Sequence, residues 1–166
     1  MVRGFMKTNK YSSTTFDSQS LMDATNWRIL KALQQDARVS MAELGRRVGL
    51  SAPAVAERVR RLENAGIIKG YRAIVNPRAL GRTILAFLRI SALGNVKDKV
   101  SEVVHRMPEV LECHRGTGNE CFIVKVSVSS IQHLEAVTDV FTRFGALTTS
   151  IVLSTLLANR TIDEMP

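Results

Sequence analysis

Two helix-start signals eleven residues apart, with a glycine between them, constrain this chain more than any other feature in it. Ser40 and Glu43 form an S-x-x-E capping box, in which each side chain satisfies the other's free backbone amide. Ser51 is a second cap, and Pro53 is harmless in the first turn, where its missing amide would have no helical partner. Gly49 stands where a left-handed residue closes a helix. Met41, Leu44 and Val48 supply one apolar face to the helix between these signals, which is only about eight residues long. A turn of two or three residues then leads into the next helix, so the pair reads as a helix-turn-helix.

A third helix precedes the pair. DATNWRILKALQQD opens on Asp23, a good cap, and carries Trp27, Leu30 and Leu33 or Gln34 at helical spacing, with Ile29 extending the stripe. In the helix after the turn, Val55, Val59 and Leu62 fall within a narrow wedge and form the buried side. Pro53, Glu57, Arg60 and Asn64 lie roughly opposite, flanked by Ala56 and Arg61. Arg58 sits nearer the buried edge, where its stem lies along apolar surface while its head reaches out. Gly66 closes this helix, and IIKGYRAIV, rich in β-branched residues, predicts a strand or hairpin beside it.

The charge is unevenly placed. Residues 1–81 hold 14 Lys/Arg against 6 Asp/Glu, a net +8, whereas residues 82–166 hold 9 of each. Basicity confined to one half points to a polyanion. A membrane surface would need bulky apolar residues and interfacial aromatics opposite the charges, and the only tryptophan, Trp27, lies outside the basic segment. Double-stranded DNA is therefore the expected partner, met by a winged helix-turn-helix. The plainer alternative is a three-helix bundle with a solvated charged face. Ser51, Ala52, Pro53 and Ala54 let the backbone approach a groove, and Ala56, Glu57, Arg58, Arg60 and Arg61 continue along the same helix. Arg47 on the helix before it, with Lys69 and Arg72 in the wing, completes the candidate DNA-binding set. Arginine forks suit guanine edges and phosphates.

NPRALG (76–81) places proline and glycine between two patterned regions, which marks a boundary. Beyond it the strand 82–93, the helix 96–107 stopped by Pro108, the strands 110–117 and 120–128, the helix 130–144 and the strand 146–157 run β-α-β-β-α-β. That order is the ferredoxin-like fold, so the chain is expected to be α+β. Gly118-Asn119 reads as a two-residue hairpin turn, which would set Cys113 opposite residue 124. Ser130 caps the second helix, Ile131, Leu134, Val137 and Phe141 form its stripe, and Gly145 closes it. Both helices cover one sheet face. Leu85, Phe87, Cys121, Ile123, Val152 and Leu156 make the other face apolar as well, which predicts a homodimer through it.

Residues 22–157 resemble the Lrp/AsnC family of bacterial and archaeal regulators. The resemblance rests on D-A-T-N-W-R-I-L, A-R-V-S-M-A-E-L-G-R-R-V-G-L-S, R-V-R-R-L-E-N-A-G-I-I-K-G-Y and G-R-T-I-L-A-F, in that order. The polar start 1–21 reads as a flexible arm and 76–82 as a linker, and the resemblance implies a DNA-binding domain over 22–75 and a ligand-sensing, oligomerising domain over 83–166. It further implies dimers assembling to tetramers or octamers, regulation of transcription through sequence-specific DNA binding, and an amino acid as effector. In the family the sensing loop runs G-x-x-D followed by an aromatic. The corresponding residues here are Gly118, Asn119, Glu120, Cys121 and Phe122, with Thr148 and Ser150 as polar lining on the last strand. Cys121 stands where the family has its acid, and a thiol is a poor partner for an ammonium group.

Other chemistry is thinly supported. Cys113 and His114 point to opposite sides of a strand, so the two cysteines suggest neither a metal site nor a disulfide, and no cofactor is expected. His105 and His133 have no nucleophile or carboxylate partner readable from spacing. Proteins of similar fold act as sirohaem decarboxylases, but they need histidines facing an inter-domain pocket, and no histidine precedes His105. The chain is read as a non-enzyme. A nucleoid-architectural protein, reading DNA by shape and charge, is the remaining alternative. MVRGFMKTNKYSSTTFDSQS has no apolar core typical of a secretory signal, and no apolar run approaches the roughly 20 residues of a membrane span, so a cytoplasmic location is expected.

Overall fold

The computed structural model describes residues 20–92, 94, 96–118 and 122–164, and within them the chain forms two compact units. The first comprises the described residues up to Ala73 together with the segment from Asn159 onward, and the second is Ile74–Ala158. All but Ser20 and Leu21 of the expected arm 1–21 lies outside the described residues.

The first unit holds α1 (Ala24–Gln35), α2 (Met41–Val48) and α3 (Ala52–Asn64). Each begins on its expected cap: Asp23, Ser40 and Ser51 accept the amides of Asn26, Glu43 and Ala54 at 2.7, 3.2 and 3.4 Å. Gly49 closes α2 in the left-handed region at φ 74°. The core is Ile29, Ala32, Leu33, Val39, Leu44, Val48, Val55, Val59 and Leu62.

Three local expectations give way here. The buried stripe of α1 is Asn26, Ile29, Ala32 and Leu33, with Trp27 and Leu30 only half-buried. Burying Asn26 is affordable because its amide donates to Leu21 O at 2.5 Å and its carbonyl accepts from Arg58 at 3.0 Å. The capping box at α2 is half made: the Glu43 carboxylate turns to Arg46 and Arg47 instead of the Ser40 amide, taking two cationic partners, one of them bidentate, in place of one neutral donor. The strand or hairpin expected over 67–75 forms no ladder. Ile67 and Ile68 tuck against the core, while Ile74 and Val75 are exposed and find no strand to pair with. The wing is therefore an irregular segment.

The segment from Asn159 onward groups with this unit. The Gln34 side chain donates to Ile162 O at 2.9 Å and accepts from Ile162 N at 2.8 Å, and Lys31 lies 3.9 Å from Asp163. Ile74 and Val75 group with the second unit.

The second unit opens with a single 3-10 turn at Arg78–Leu80 inside the expected linker. There follow β1 (Ile84–Ala92), α4 (Lys97–Arg106), β2 (Val110–Arg115), β3 (Phe122–Val128), α5 (Ile131–Thr142) and β4 (Gly145–Ile151). The sheet is antiparallel in the order β2-β3-β1-β4, which is the ferredoxin-like arrangement. Ala86, Leu88, Ile90, Val124, Val126 and Val128 share one core with Val100 of α4 and Leu134, Val137 and Phe141 of α5, so both helices cover the same face. Ile131, in the first turn of α5, is exposed rather than part of its stripe. Cys113 pairs with Val124, the register that the expected turn demands, although both strands stop short of it and Asn119 lies outside the described residues.

Gly145 does not close α5, which caps at Arg143. It starts β4 where a Cβ would collide with the carbonyl of Ser91, so the close pairing of β4 on β1 requires glycine. β4 ends at Ile151, not 157; one further bond joins Val152 N to Leu85 O at 2.8 Å, and Leu153 and Leu156 beyond it are exposed. The open sheet face is also less apolar than expected. Leu85, Phe87 and Ile123 are half-buried there, but Arg89 donates to Ser150 at 3.2 Å and Lys125 to Glu112 at 2.9 Å across the same face.

A candidate nucleic-acid interface on the third helix

α3 owes its orientation to Val55, Val59 and Leu62, all within 4% of full burial. Helical geometry then turns Pro53, Ala54, Glu57, Arg60 and Arg61 to solvent, with Ala52, Ala56 and Arg58 half-buried at the flanks. Ser51 is exposed at the N-terminus, where its hydroxyl is engaged as the cap. Lys69 and Arg72 follow on the irregular segment, both exposed. Pro53, Ala54, Glu57, Arg60 and Arg61 thus share one face of α3, and Arg47 stands exposed on α2.

The arginines are not equivalent. Arg60 and Arg61 keep 63% and 64% of their side-chain surface in solvent, and both pair with Glu57, Arg61 at 3.2 Å. On α2, Glu43 accepts from Arg46 at 2.7 and 2.8 Å and from Arg47 at 2.8 Å. First Arg46 and then Arg47 hold the Glu43 carboxyl down at about 2. Arg58 is different. Its guanidinium bonds Asp23 at 2.7 Å and Asn26 at 3.0 Å, which braces α3 against the start of α1. That contact, led by the hydrogen bond itself, also lowers the Asp23 carboxyl below its ordinary range.

Gly45 was not singled out from sequence, yet it sets the angle between the two helices. It is buried inside α2, its carbonyl accepts the Leu50 amide at 2.9 Å, and a Cβ on it would meet Leu50 O at 2.5 Å. A glycine within so short an amphipathic helix was the available signal. Tyr71 likewise went unremarked: its hydroxyl donates to Glu63 at 2.9 Å, and burial, aided by that bond, pushes it up to about 12.

Of the candidate effector residues, Asn119, Glu120 and Cys121 lie outside the described residues. Gly118 sits at the end of the β2–β3 hairpin, whereas Thr148 and Ser150 are on β4, with β1 lying between β3 and β4. Two strand spacings, roughly 10 Å, therefore separate β3 from β4. Arg89, whose partner on β4 is Thr148 and which bonds Ser150, is a charged residue on that face that sequence reasoning passed over.

His133, for which spacing reveals no nucleophile or carboxylate partner, lies between Glu109 and Ser129 at 3.1 Å each. Cys113 is free and half-buried, and desolvation raises its thiol. Among the described residues no group of three or more His, Cys, Asp or Glu is placed to hold a metal ion, and no helix is long and apolar enough to cross a membrane.

A helix-turn-helix unit with a basic outer helix, joined to a ferredoxin-like α+β unit, defines a class of two-domain regulators. The sequence matches the AsnC-type helix-turn-helix domain over residues 22–63 and the Lrp/AsnC ligand binding domain over residues 85–162. It is 39% identical over 133 residues to an uncharacterized HTH-type transcriptional regulator of Bacillus subtilis, YezC, covering 80% of this chain and 94% of that one. It is 38% identical over 110 residues to the leucine-responsive regulatory protein of Escherichia coli, covering 64% of this chain and 67% of that one. Among solved structures, LrpA of Mycobacterium tuberculosis superposes with a TM-score of 0.74 at 32% identity, over 86% of this chain and all of that one. A Neisseria meningitidis transcriptional regulator crystallised as an L-Met complex superposes with a TM-score of 0.79 at 26% identity, over 85% and 96% of the two chains. The chain belongs to the Lrp/AsnC family of transcriptional regulators. These relatives are named as regulators, which sets the decarboxylase alternative aside.

Proposed function

We propose that this regulator binds DNA sequence-specifically by laying α3 in the major groove, as a dimer that assembles further. The observation that carries this reading is the division of α3 itself: a buried apolar edge of Val55, Val59 and Leu62, and a solvent face bearing Arg60 and Arg61. Ser51, Ala52, Pro53, Ala54 and Ala56 approach the duplex, Arg47, Lys69 and Arg72 neutralise phosphates, and base reading falls to Glu57, Arg60 and Arg61. Arg58, engaged with Asp23 and Asn26, positions the helix instead. A second copy docks on the open sheet face over Leu85, Phe87 and Ile123, whose half-burial leaves apolar surface to cover. Such a dimer pairs two reading helices on adjacent half-sites, and tetramers or octamers follow from further self-association.

The effector in this reading is an amino acid, taken up at Gly118, Asn119, Glu120, Cys121, Thr148 and Ser150. The support is the match to a ligand binding domain and the relative that crystallised with L-Met. An architectural role has its own support: Ala52, Pro53 and Ala54 bring no side-chain hydrogen bonds to the front of α3.

Binding of the purified protein to its own upstream region and to a scrambled duplex of equal length, across a salt series, separates the readings. Preference for the upstream duplex that persists as salt rises supports a sequence reader. Equal affinities with one steep salt slope indicate an architectural protein. Absence of binding to either overturns both.

A further inference from the structure

We propose that Glu57 is a specificity-determining residue of this regulator: set between Arg60 and Arg61 on the solvent face of α3, it aims both guanidiniums at base edges and turns phosphate away. The inference rests on the reading of α3 as the helix that enters the groove.

A repeated pattern motivates it. Glu43-x-x-Arg46-Arg47 on α2 and Glu57-x-x-Arg60-Arg61 on α3 have the same spacing. In both, one carboxylate reaches arginines three and four residues further along the helix. Glu57 divides its oxygens, Oε2 to Arg60 and Oε1 to Arg61, so each guanidinium is held on its own side of the carboxylate. Two exposed arginines without such an acid would present two charges to any nearby phosphate. A carboxylate between them cancels one and places a repelling charge where a phosphate would sit. The guanidinium N–H groups that Glu57 does not engage can donate to guanine, and Glu57 itself is an acceptor for the cytosine amino group. Phosphate contacts position a protein without reading sequence, so exchanging one for a carboxylate lowers affinity for all DNA and raises discrimination.

Glu43 is the internal comparison. It sits on α2, the helix that crosses the backbone in helix-turn-helix docking. There the same trio of charges trims phosphate binding but reads no base.

The test uses the full chain and a duplex selected by the wild-type protein from a random pool, set against a scrambled duplex of equal length, across a salt series. Glu57→Gln keeps the shape and removes the charge. It is expected to bind the scrambled duplex more tightly and to steepen the log–log salt dependence by about 0.9 per reading helix, the increment for one added phosphate contact. The ratio of selected to scrambled affinity is expected to fall at least about fivefold, the lower end for one base contact. Glu43→Gln should tighten binding to both duplexes alike and leave that ratio unchanged. Glu57→Asp, which retains the charge, should keep the wild-type salt slope. Glu57→Gln and Glu57→Asp should melt with the wild type, which excludes a folding defect as the cause. If Glu57→Gln shifts both duplexes equally, as Glu43→Gln does, or changes neither slope nor ratio, the proposal falls while α3 remains the DNA-binding helix. If the wild-type protein selects no sequence and binds no duplex, the underlying reading falls with it.

Discussion

Replacing Gly45 by alanine should destabilise the DNA-binding unit, although the intrinsic helix preference runs the other way. In a helix interior alanine is favoured over glycine by about 1 kcal/mol. Against that gain, the new Cβ would stand 2.5 Å from Leu50 O, where ordinary contact begins at 3.4 Å. The obstacle is backbone, not the end of a flexible side chain, and it belongs to the turn that joins α2 to α3. Relief requires the two helices to separate or the bond from Leu50 N to Gly45 O, 2.9 Å, to stretch. Overpacking a tight site costs about 1–3 kcal/mol, and a rigid obstacle belongs at the upper end, which leaves a net loss of about 1–2 kcal/mol. For a small domain that is a melting temperature lower by about 5–15 °C. Thermal unfolding followed by far-UV circular dichroism measures it. Ala42→Gly, at an exposed site on the same helix, is the control and should also destabilise, by about 1 kcal/mol. Opposite exchanges on one helix would then act in the same direction. A Gly45→Ala variant that melts at or above the wild type would refute the steric account of the turn.

Other outcomes follow from the same contacts. Arg58→Ala should cost about 1–2 kcal/mol in urea unfolding, because it strands the buried Asn26 carbonyl, whereas Arg60→Ala should weaken DNA binding with an unfolding midpoint close to wild type. The pH dependence of Glu43 has a definite sign. Its folded carboxyl is depressed from 4.5 to about 2, so its contribution is complete above the unfolded value and is lost as pH falls through the folded one. The melting difference between wild type and Glu43→Gln should therefore shrink on acidification across that interval. Gln34→Ala removes the acceptor of the Ile162 amide, so hydrogen exchange at Ile162 should accelerate while the core amides of α1 keep their protection. An unchanged Ile162 rate would show that the tail is not held by Gln34.

What the sequence determined by itself is what one or two turns of chain can settle. Asp23, Ser40, Ser51 and Ser130 all cap as expected, because a side-chain oxygen and the amide three residues ahead are neighbours in any helix start. The buried edge of α3 and its exposed arginines follow from the helical period. Cys113 faces Val124 because hairpin register is arithmetic on a turn. Tertiary structure decided wherever two such segments compete for one partner. Asn26, not Trp27, is buried in α1 because Arg58, 32 residues away, supplies its second hydrogen bond. Glu43 abandons the cap of its own helix for two guanidiniums, and the wing stays irregular because its β-branched residues meet no strand to pair with. His133 acquires Glu109 across 24 residues, and Ile162 is held by Gln34 across 128. No periodicity encodes those meetings, because they depend on how packed units bring distant chain together and on which polar group finds the strongest partner there.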